Sequence, residues 1–376
     1  MTSTRRKVTI FSSVHRWNDT RILLKQAVSL QKRYDVELFA PADFNEKSYQ
    51  DIRIIGLPTW ERVSDRRIIR RQLKKILATS DADIFHFHDP ELIPMGLWLR
   101  HKKRKPVIYD IHEDYAAYIL DKEWIPQPLR VPISRTFKLI EAIAVKYFDH
   151  NITATNAILD ALPVGCNAST ISNYPIILPS ENNGPKTREE LKFLYLGSME
   201  EIRGIYNMME AFRQFRKNIP SDIGVKLHIA GKLIGSEKYQ NSLRHLIEHP
   251  DIIYHGQVPF TEGQMLMDSC HVGIIPFFPL PNHVDAVPNK LFEYMSNGLY
   301  LLVSNFQLWD DIVVKNGVGE SFNPLDIGSI QQAMAKCLSS FDHIIENADV
   351  SRRLVQTKYR WASEEEKLFQ IYQDLL

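Results

Sequence analysis

The residues best placed to do chemistry lie in 276–305, PFFPLPNHVDAVPNKLFEYMSNGLYLLVSN. A strand should end near Phe277 and a proline-rich loop follow. Pro288 then opens a helix that runs through Met295 and stops at Asn297-Gly298. The N-terminus of such a helix presents unbonded N–H groups and a partial positive charge, a seat for an anion. Asn289 and Lys290 stand beside it, and two carboxylates, Asp285 and Glu293, flank it eight residues apart. Glu293, about one turn into the helix, can reach vicinal hydroxyls; Asp285 sits in the loop. A second stretch, YLGSMEEIRG at 195–204, predicts a strand, a glycine turn and a helix from Ile205, with Arg203 just before it. Strand–Gly–helix turns occur throughout α/β proteins, so this one gains weight as a phosphate site through its pairing with the first.

In the front half, IFHFHD at 84–89 and VIYDIHED at 107–114 predict strands ending in His, Asp and Glu. Sites in parallel sheets form at such strand ends. His86 and His88 share a strand face, but the sequence supplies no close third ligand, so no metal is expected. His112, directly after its strand, is the best single candidate for a catalytic or ligand-binding group; a structural histidine is the plainer alternative. RRIIRRQLKKIL at 66–77 is a basic amphipathic helix, and HKKRK at 101–105 adds a second basic cluster. The helix's stripe of Ile69, Leu73, Ile76 and Leu77 packs on a sheet in either reading. Its charges are then merely solvated, or they meet anionic lipid headgroups. No binding motif or interleaved aromatic pattern accompanies the charge, so nucleic acid is not expected as a partner.

The elements that must position these residues follow one grammar. Short β-branched runs, several of them apolar on both faces, at 8–13, 36–40, 52–57, 84–88, 107–111 and 151–154, alternate with helical patterns at 20–32, 66–79 and 132–148. The grammar restarts with strands at 193–197, 227–231, 252–256, 272–277, 301–305 and 318–322. Between the two series, 179–187 is polar and flanked by prolines. The expected fold is α/β: two Rossmann-like, doubly wound parallel-sheet domains facing a central cleft. The expected boundaries are 1–179, a linker at 180–190, 191–356, and a C-terminal helix at 357–376 that caps its own domain or crosses back to the first.

Composition agrees. The chain has 376 residues, 44% apolar and 24% charged, a globular balance large enough for two or three domains. Its three cysteines, Cys166, Cys270 and Cys337, are too far apart for a zinc pair or a disulfide framework. No stretch is long and apolar enough to span a bilayer, and Ser12, Ser13, His15 and Arg16 break any secretory apolar region, so a cytoplasmic chain is expected. Net charge is +1, but residues 1–180 hold 27 Lys/Arg against 20 Asp/Glu while the rest holds 19 against 25. That asymmetry suits two domains with different ligands.

HDPELIPMG and VIYDIHEDY in the front half, with LYLGSMEEIRGIYNMMEAF and PNKLFEYMSNG in the back, resemble the two-Rossmann-domain (GT-B) glycosyltransferases of the large retaining family 4. The resemblance implies a nucleotide-diphosphate sugar held by the C-terminal domain, a glycan or lipid-linked acceptor held by the N-terminal domain, and no metal or other cofactor. Glu293 matches the second member of the family's Glu-x7-Glu motif, which holds the ribose. Asp285 takes the first place, that of the donor sugar, with one methylene less. Arg203 matches one of the two diphosphate-clamping cations, and Ser198 stands where the other is usual. Asn289, Lys290 and Leu291 line the same donor site, and His112 matches a sugar-contacting histidine. Ser12-Ser13 replaces a Gly-Gly loop, with His15 and Asp19 as acceptor-side candidates. The implied catalytic set is His112, Asp285 and Arg203. Separately, peripheral contact of the basic helix with the inner face of an anionic membrane would suit a role in surface polysaccharide assembly. A nucleotide-sugar hydrolase or epimerase, or a non-catalytic nucleotide-sugar binder, shares the architecture.

Overall fold

The computed structural model describes residues 5–120, 122, 125–176, 186–284 and 286–376. The described chain divides into two compact units, Met1–Ile176 with Trp361–Leu376, and Ile177–Arg360. The first six residues of the expected linker at 180–190 lie outside the described residues. The later ones belong to the second unit, where Lys186 is buried and Glu190 opens a strand.

The first unit is built on an eight-stranded sheet. In chain order its strands are β1 (Lys7–Phe11), β2 (Asp35–Pro41), β3 (Glu46–Tyr49), β4 (Ile52–Leu57), β5 (Ile84–Phe87), β6 (Val107–Ile111), β7 (His150–Thr153) and β8 (Ala168–Thr170). Their spatial order is β3-β4-β2-β1-β5-β6-β7-β8, parallel throughout except for β3 against β4. The chain reverses its direction of winding between β1 and β5, and such a switch point leaves a crevice at the carboxyl ends of the two strands. Strands such as VIYDI, buried at every position, are covered on both faces as their composition demands.

One face packs Val8, Ile10, Leu38 and Ile108 against the helical segment at 20–30 and the closing helix Trp361–Leu375. The segment at 20–30 begins as a π-helix over Thr20–Ala27. The closing helix buries Trp361, Leu368, Phe369 and Tyr372, each contributing about 1.5–3 kcal/mol by burial. Trp361 also bonds Ser29 Oγ through its indole N–H at 2.8 Å. The last helix is therefore part of the first unit. The opposite face packs Phe85, Phe87 and Tyr109 against the helices Arg66–Thr79, Ile93–Lys103 and Gln127–Ala144.

The helix expected at 132–148 instead spans Gln127–Ala144 and carries Pro132 internally. Pro128 takes the early-turn position for which proline is suited, one turn before the proline that the sequence suggests.

The second unit has six parallel strands, β9 (Glu190–Leu196), β10 (Gly224–Ala230), β11 (Ile252–Tyr254), β12 (Val272–Ile275), β13 (Tyr300–Ser304) and β14 (Gly319–Phe322). Their order is β11-β10-β9-β12-β13-β14, so its switch point falls between β9 and β12. Phe193 of β9 packs edge-to-face on Phe212 and Phe215 of the helix Ile205–Lys217. No helix among the described residues is long and apolar enough to cross a membrane.

Candidate functional site

In the second unit, β9 ends at Leu196 and Gly197 turns the chain with φ +139°. A side chain at Gly197 would put its Cβ 2.1 Å from Lys290 Nζ, so only glycine lets that ammonium lie against the strand end. Lys290 comes from the helix Asn289–Ser296, whose first turn has no side-chain cap. Tyr294 of this helix fixes it in place. Its ring lies on Gly273 of β12, and its hydroxyl accepts the Leu196 N–H at 2.8 Å.

Arg203 enters from the turn after β9. Gly204 follows it with φ +67°, in a space where a Cβ would stand 2.0 Å from Pro276 O. The Phe278 N–H donates to Ile202 O at 3.0 Å, which joins this turn to the loop after β12. The guanidinium lies 5.2 Å from the Phe277 ring centroid and 3.7 Å from Glu200. Its Nε is buried without a hydrogen-bond partner. Ser198 donates its hydroxyl to Glu200 at 2.6 Å, and its carbonyl accepts from Tyr195 Oη at 2.8 Å.

The structure thus brings Ser198, Arg203 and Lys290 around one strand-end glycine, with Asn289 and Glu293 on the same helix as Lys290. Burial, reinforced by the neighbouring Arg203 charge, pulls the Lys290 ammonium down to about 8 against the attraction of Glu293 and Glu200. Two cations held this close destabilise each other, and a polyphosphate seated between them and the uncapped helix turn would relieve the conflict. Leu291 contributes differently from its neighbours: its side chain is buried in the core and its N–H bonds Pro288 O at 3.0 Å. Asp285 lies outside the described residues.

The first unit's switch point holds a different cluster. Asp110, fully buried in β6, receives Arg21 Nε at 3.1 Å and Nη2 at 2.9 Å, and Gln26 Nε2 at 2.5 Å. Burial works against this carboxylate's charge, but Arg21 and then His112 outweigh it and hold Asp110 well below the usual range. His86 is pushed down to about 4 by burial, and burial likewise holds His88 well below its ordinary value. His88 Nδ1 and His112 Nε2 share a hydrogen bond of 3.0 Å, and His112 Nε2 stands 3.7 Å from Asp110.

His86, His88 and Asp110 bring possible ligand atoms within 4.8 Å of one another. The set suits a divalent cation poorly, because Arg21 already occupies both carboxylate oxygens and its charge would oppose a second cation there.

His15 lies between Asp19 at 3.5 Å and Asp89 at 3.6 Å, with its ring 4.9 Å from that of His112. Burial opposes its protonation, but Asp19 and Asp89 together raise it above the ordinary histidine value. Asp19, which burial alone would raise, is held at about 2 by His15 and by the Ile22 N–H. The loop after β1 is already filled: Asp89 Oδ2 accepts from Ser12 Oγ at 2.7 Å, Ser13 N at 2.5 Å and Val14 N at 3.1 Å. Its N–H groups hold the chain's own carboxylate and offer no phosphate cradle.

Sequence reasoning missed Arg21, Gln26, Asp110 and Asp89 in this cluster, and Tyr195, Glu200 and Tyr294 in the other. A lone carboxylate in the otherwise apolar strand VIYDI was the available signal for Asp110, because a charge buried there requires a partner.

Residues 20–172 match the profile of Glycosyltransferase Family 4, and residues 190–340 that of Glycosyl transferases group 1. Glycogen synthase of Mycobacterium tuberculosis (strain ATCC 25618 / H37Rv) is 22% identical over 334 residues, covering 83% of this chain and 75% of that protein. Among solved structures, sucrose-phosphate synthase from Thermosynechococcus elongatus is similar with a TM-score of 0.76 at 16% identity, over 99% of each chain. Anabaena Alr3699/HepE in complex with UDP and glucose gives 0.70 at 14% identity, over 98% of this chain and 100% of that one. The two family matches together take in more than half of the sequence, one on each unit, and the chain belongs to the GT-B glycosyltransferases of family 4, the glycosyl transferases group 1.

Proposed function

We propose that the chain moves a sugar from a nucleoside-diphosphate donor to a glycan or lipid-linked acceptor, with retention at the anomeric carbon and with no metal required, in the assembly of surface polysaccharide. The observation that carries this is the burial of Lys290 against Gly197 at the start of an uncapped helix turn, within the field of Arg203. In the reaction the bond from the anomeric carbon to the diphosphate oxygen breaks, and its electron pair stays on the diphosphate. Arg203, Lys290 and the first N–H groups of the 289–296 helix take up that charge without reorganising. The acceptor oxygen bonds the anomeric carbon from the face the diphosphate leaves, and its proton passes to the departing phosphate oxygen.

Glu293 binds the ribose and Asp285 orients the donor sugar. Ser198 holds Glu200, which in turn steadies Arg203. In the first unit His112 offers an N–H to sugar hydroxyls, and His15 with Asp19 forms a charged pair for the acceptor. The UDP and UDP-glucose in the Anabaena HepE structures make uridine donors the first to try. The basic helix Arg66–Thr79 supports an acceptor near the inner, anionic face of a membrane.

The test is a panel of nucleotide sugars with candidate acceptors in EDTA, following nucleoside diphosphate release and the product anomer by NMR. Acceptor-dependent release with a retained anomer is expected. Donor consumption without an acceptor indicates a hydrolase or epimerase, and binding without turnover indicates a non-catalytic binder. Either result, or an inverted product, overturns the reading.

A further inference from the structure

The helix Gln127–Ala144 has its polarity reversed for a surface helix. Only Ser134 and Ala144 of its eighteen residues are buried. Leu129, Ile133, Ile140 and Ile143 are exposed, with Tyr147 in the turn that follows. Their spacings of four, seven, three and four residues keep all five on one stripe of a helix at 100° per residue. Leu139 and Tyr147 are each 64% exposed, and Ile143 52%. The face turned inward is different: Phe137, Ala144, Val145 and Phe148 join the core under the sheet, and Glu141 accepts the Tyr109 hydroxyl at 2.9 Å. A contiguous exposed apolar stripe of this size marks a contact surface.

The helix that carries the stripe is net basic. Residues 127–147 contain Arg130, Arg135, Lys138 and Lys146 against the single acid Glu141, which faces inward. Glu113 and Asp114 lead into the adjoining helix Tyr115–Leu120, whereas the helices on the other side continue the basic pattern. The helices Arg66–Thr79, Ile93–Lys103 and Gln127–Ala144 pack their inner residues into the same core cluster, so they form one layer on one face of the first sheet. The 66–79 helix carries six basic residues and no acid. Between it and the 93–103 helix lies a groove of about 530 Å³, lined by Arg67, Arg70, Arg71 and Lys74 together with Met95 and Trp98; its one acid, Glu91, pairs with Arg66 and Arg70 and leaves the wall net positive. Lys74 Nζ lies 5.6 Å from the Trp98 ring centroid. A cationic wall over an apolar floor suits a phosphate headgroup with the start of its acyl chain.

We infer that the outer surface of this helix layer docks on an anionic lipid bilayer, with the stripe Leu129–Ile133–Ile140–Ile143–Tyr147 lying at the headgroup–acyl boundary and the 66–79 helix holding headgroup phosphates. Amphipathic helices with apolar side chains on one face and Lys/Arg beside them lie in that plane. A tyrosine suits the boundary because its ring is apolar and its tip wet. The charge complementarity favours a bilayer over a second copy of the chain, which would set basic surface against basic surface. This inference rests on the membrane-proximal acceptor proposed above and deepens it by naming the element that enters the lipid. The reading of the nucleotide site stands apart from it.

The experiment uses the full chain in vesicle co-sedimentation, with phosphatidylcholine alone and mixed with phosphatidylglycerol, at low and high salt. Circular dichroism melting checks that each variant is folded. The wild type should bind the mixed vesicles at low salt at least about tenfold better than phosphatidylcholine alone, and bind less well as salt rises. Ile140→Ser with Ile143→Ser removes apolar surface without adding charge, and should weaken binding about tenfold at either salt. Arg71→Glu with Lys74→Glu should weaken it at low salt by about fivefold or more per site. None of these residues belongs to the nucleotide site, so donor turnover with a soluble acceptor should persist in all the variants. Loss of turnover in the wild type would count against the proposed reaction and leave the docking result readable. Docking is overturned if the wild type ignores anionic vesicles, or if the double serine variant binds them as the wild type does. It is also overturned if sedimentation velocity shows a dimer that the serine variant dissociates while vesicle binding stays unchanged.

Discussion

At the switch point of the first sheet, Asp110 is buried with Arg21 across both of its oxygens, and burial keeps His86 and His88 neutral around it. At the same point of the second sheet, burial, with the Arg203 charge adding to it, pulls the Lys290 ammonium down to about 8. Both sheets reverse their winding in the same way there, the first carrying two further strands. The first cluster neutralises itself and holds its own loop closed through Asp89. The second sets Lys290 and Arg203, with Glu200 and Glu293 near them, beside an uncapped helix turn that remains open to an anionic ligand. The shared reversal of winding therefore supplies the crevice, and the charges of a few side chains decide whether it is finished without a ligand.

That contrast can be broken most forcefully in the first unit. Asp110→Ala leaves Arg21 buried and unpaired, and should lower stability by about 3–5 kcal/mol in urea unfolding. Replacing both partners, as Arg21→Met with Asp110→Leu, should cost much less, because no orphaned charge remains. In the second unit Arg203→Ala should spare stability but lower kcat for donor turnover by about 10²–10³-fold, the scale of removing one preorganised charge donor.

Lys290→Met sharpens the comparison from the other side. A lysine whose folded value lies below its unfolded one destabilises the fold fully at pH below about 8, and the cost fades as pH rises toward the ordinary value of 10.5. The variant should therefore be more stable than the wild type by about 1–3 kcal/mol at pH 7 in the absence of donor, with the gain vanishing near pH 11. A gain that does not depend on pH would place its source elsewhere. The smallest effect is on affinity. A bound diphosphate restores the proton that the free Lys290 loses above about 8. Nucleoside diphosphate binding should then weaken by about tenfold between pH 7 and pH 9 by calorimetry.

The βαβ alternation was legible because buried parallel strands read as apolar runs. The strand limits at Ile52–Leu57 and Val107–Ile111 and the helix Arg66–Thr79 agree with the periodicity to the residue. β3, with the sequence EKSY, was not legible, because it has no apolar period. It forms by antiparallel pairing with β4 across a turn in which Gln50 takes φ 48°. β8 is three half-buried residues paired in parallel with β7 at the edge of the sheet. In the second unit Arg203 and Lys290 were visible because each is anchored by local grammar, a glycine turn or a proline-led helix start. The Arg21–Asp110 pair was not, since its partners lie 89 residues apart and only the folded sheet brings them together. The apolar stripe at 129–147 was hidden for a related reason. Hydrophobic periodicity in a sequence is read as core, and nothing in the spacing says which face of a helix the sheet will cover.

The central claim is that fixed cations of the second unit take up the diphosphate's charge. Calorimetric titration of a panel of nucleoside diphosphates in EDTA, into the wild type and Arg203→Ala, tests it most directly. The account predicts that at least one diphosphate binds the wild type in the chelator and that Arg203→Ala binds it at least about tenfold more weakly. Binding that appears only when a divalent cation is added, or equal affinity for the two proteins, would contradict it.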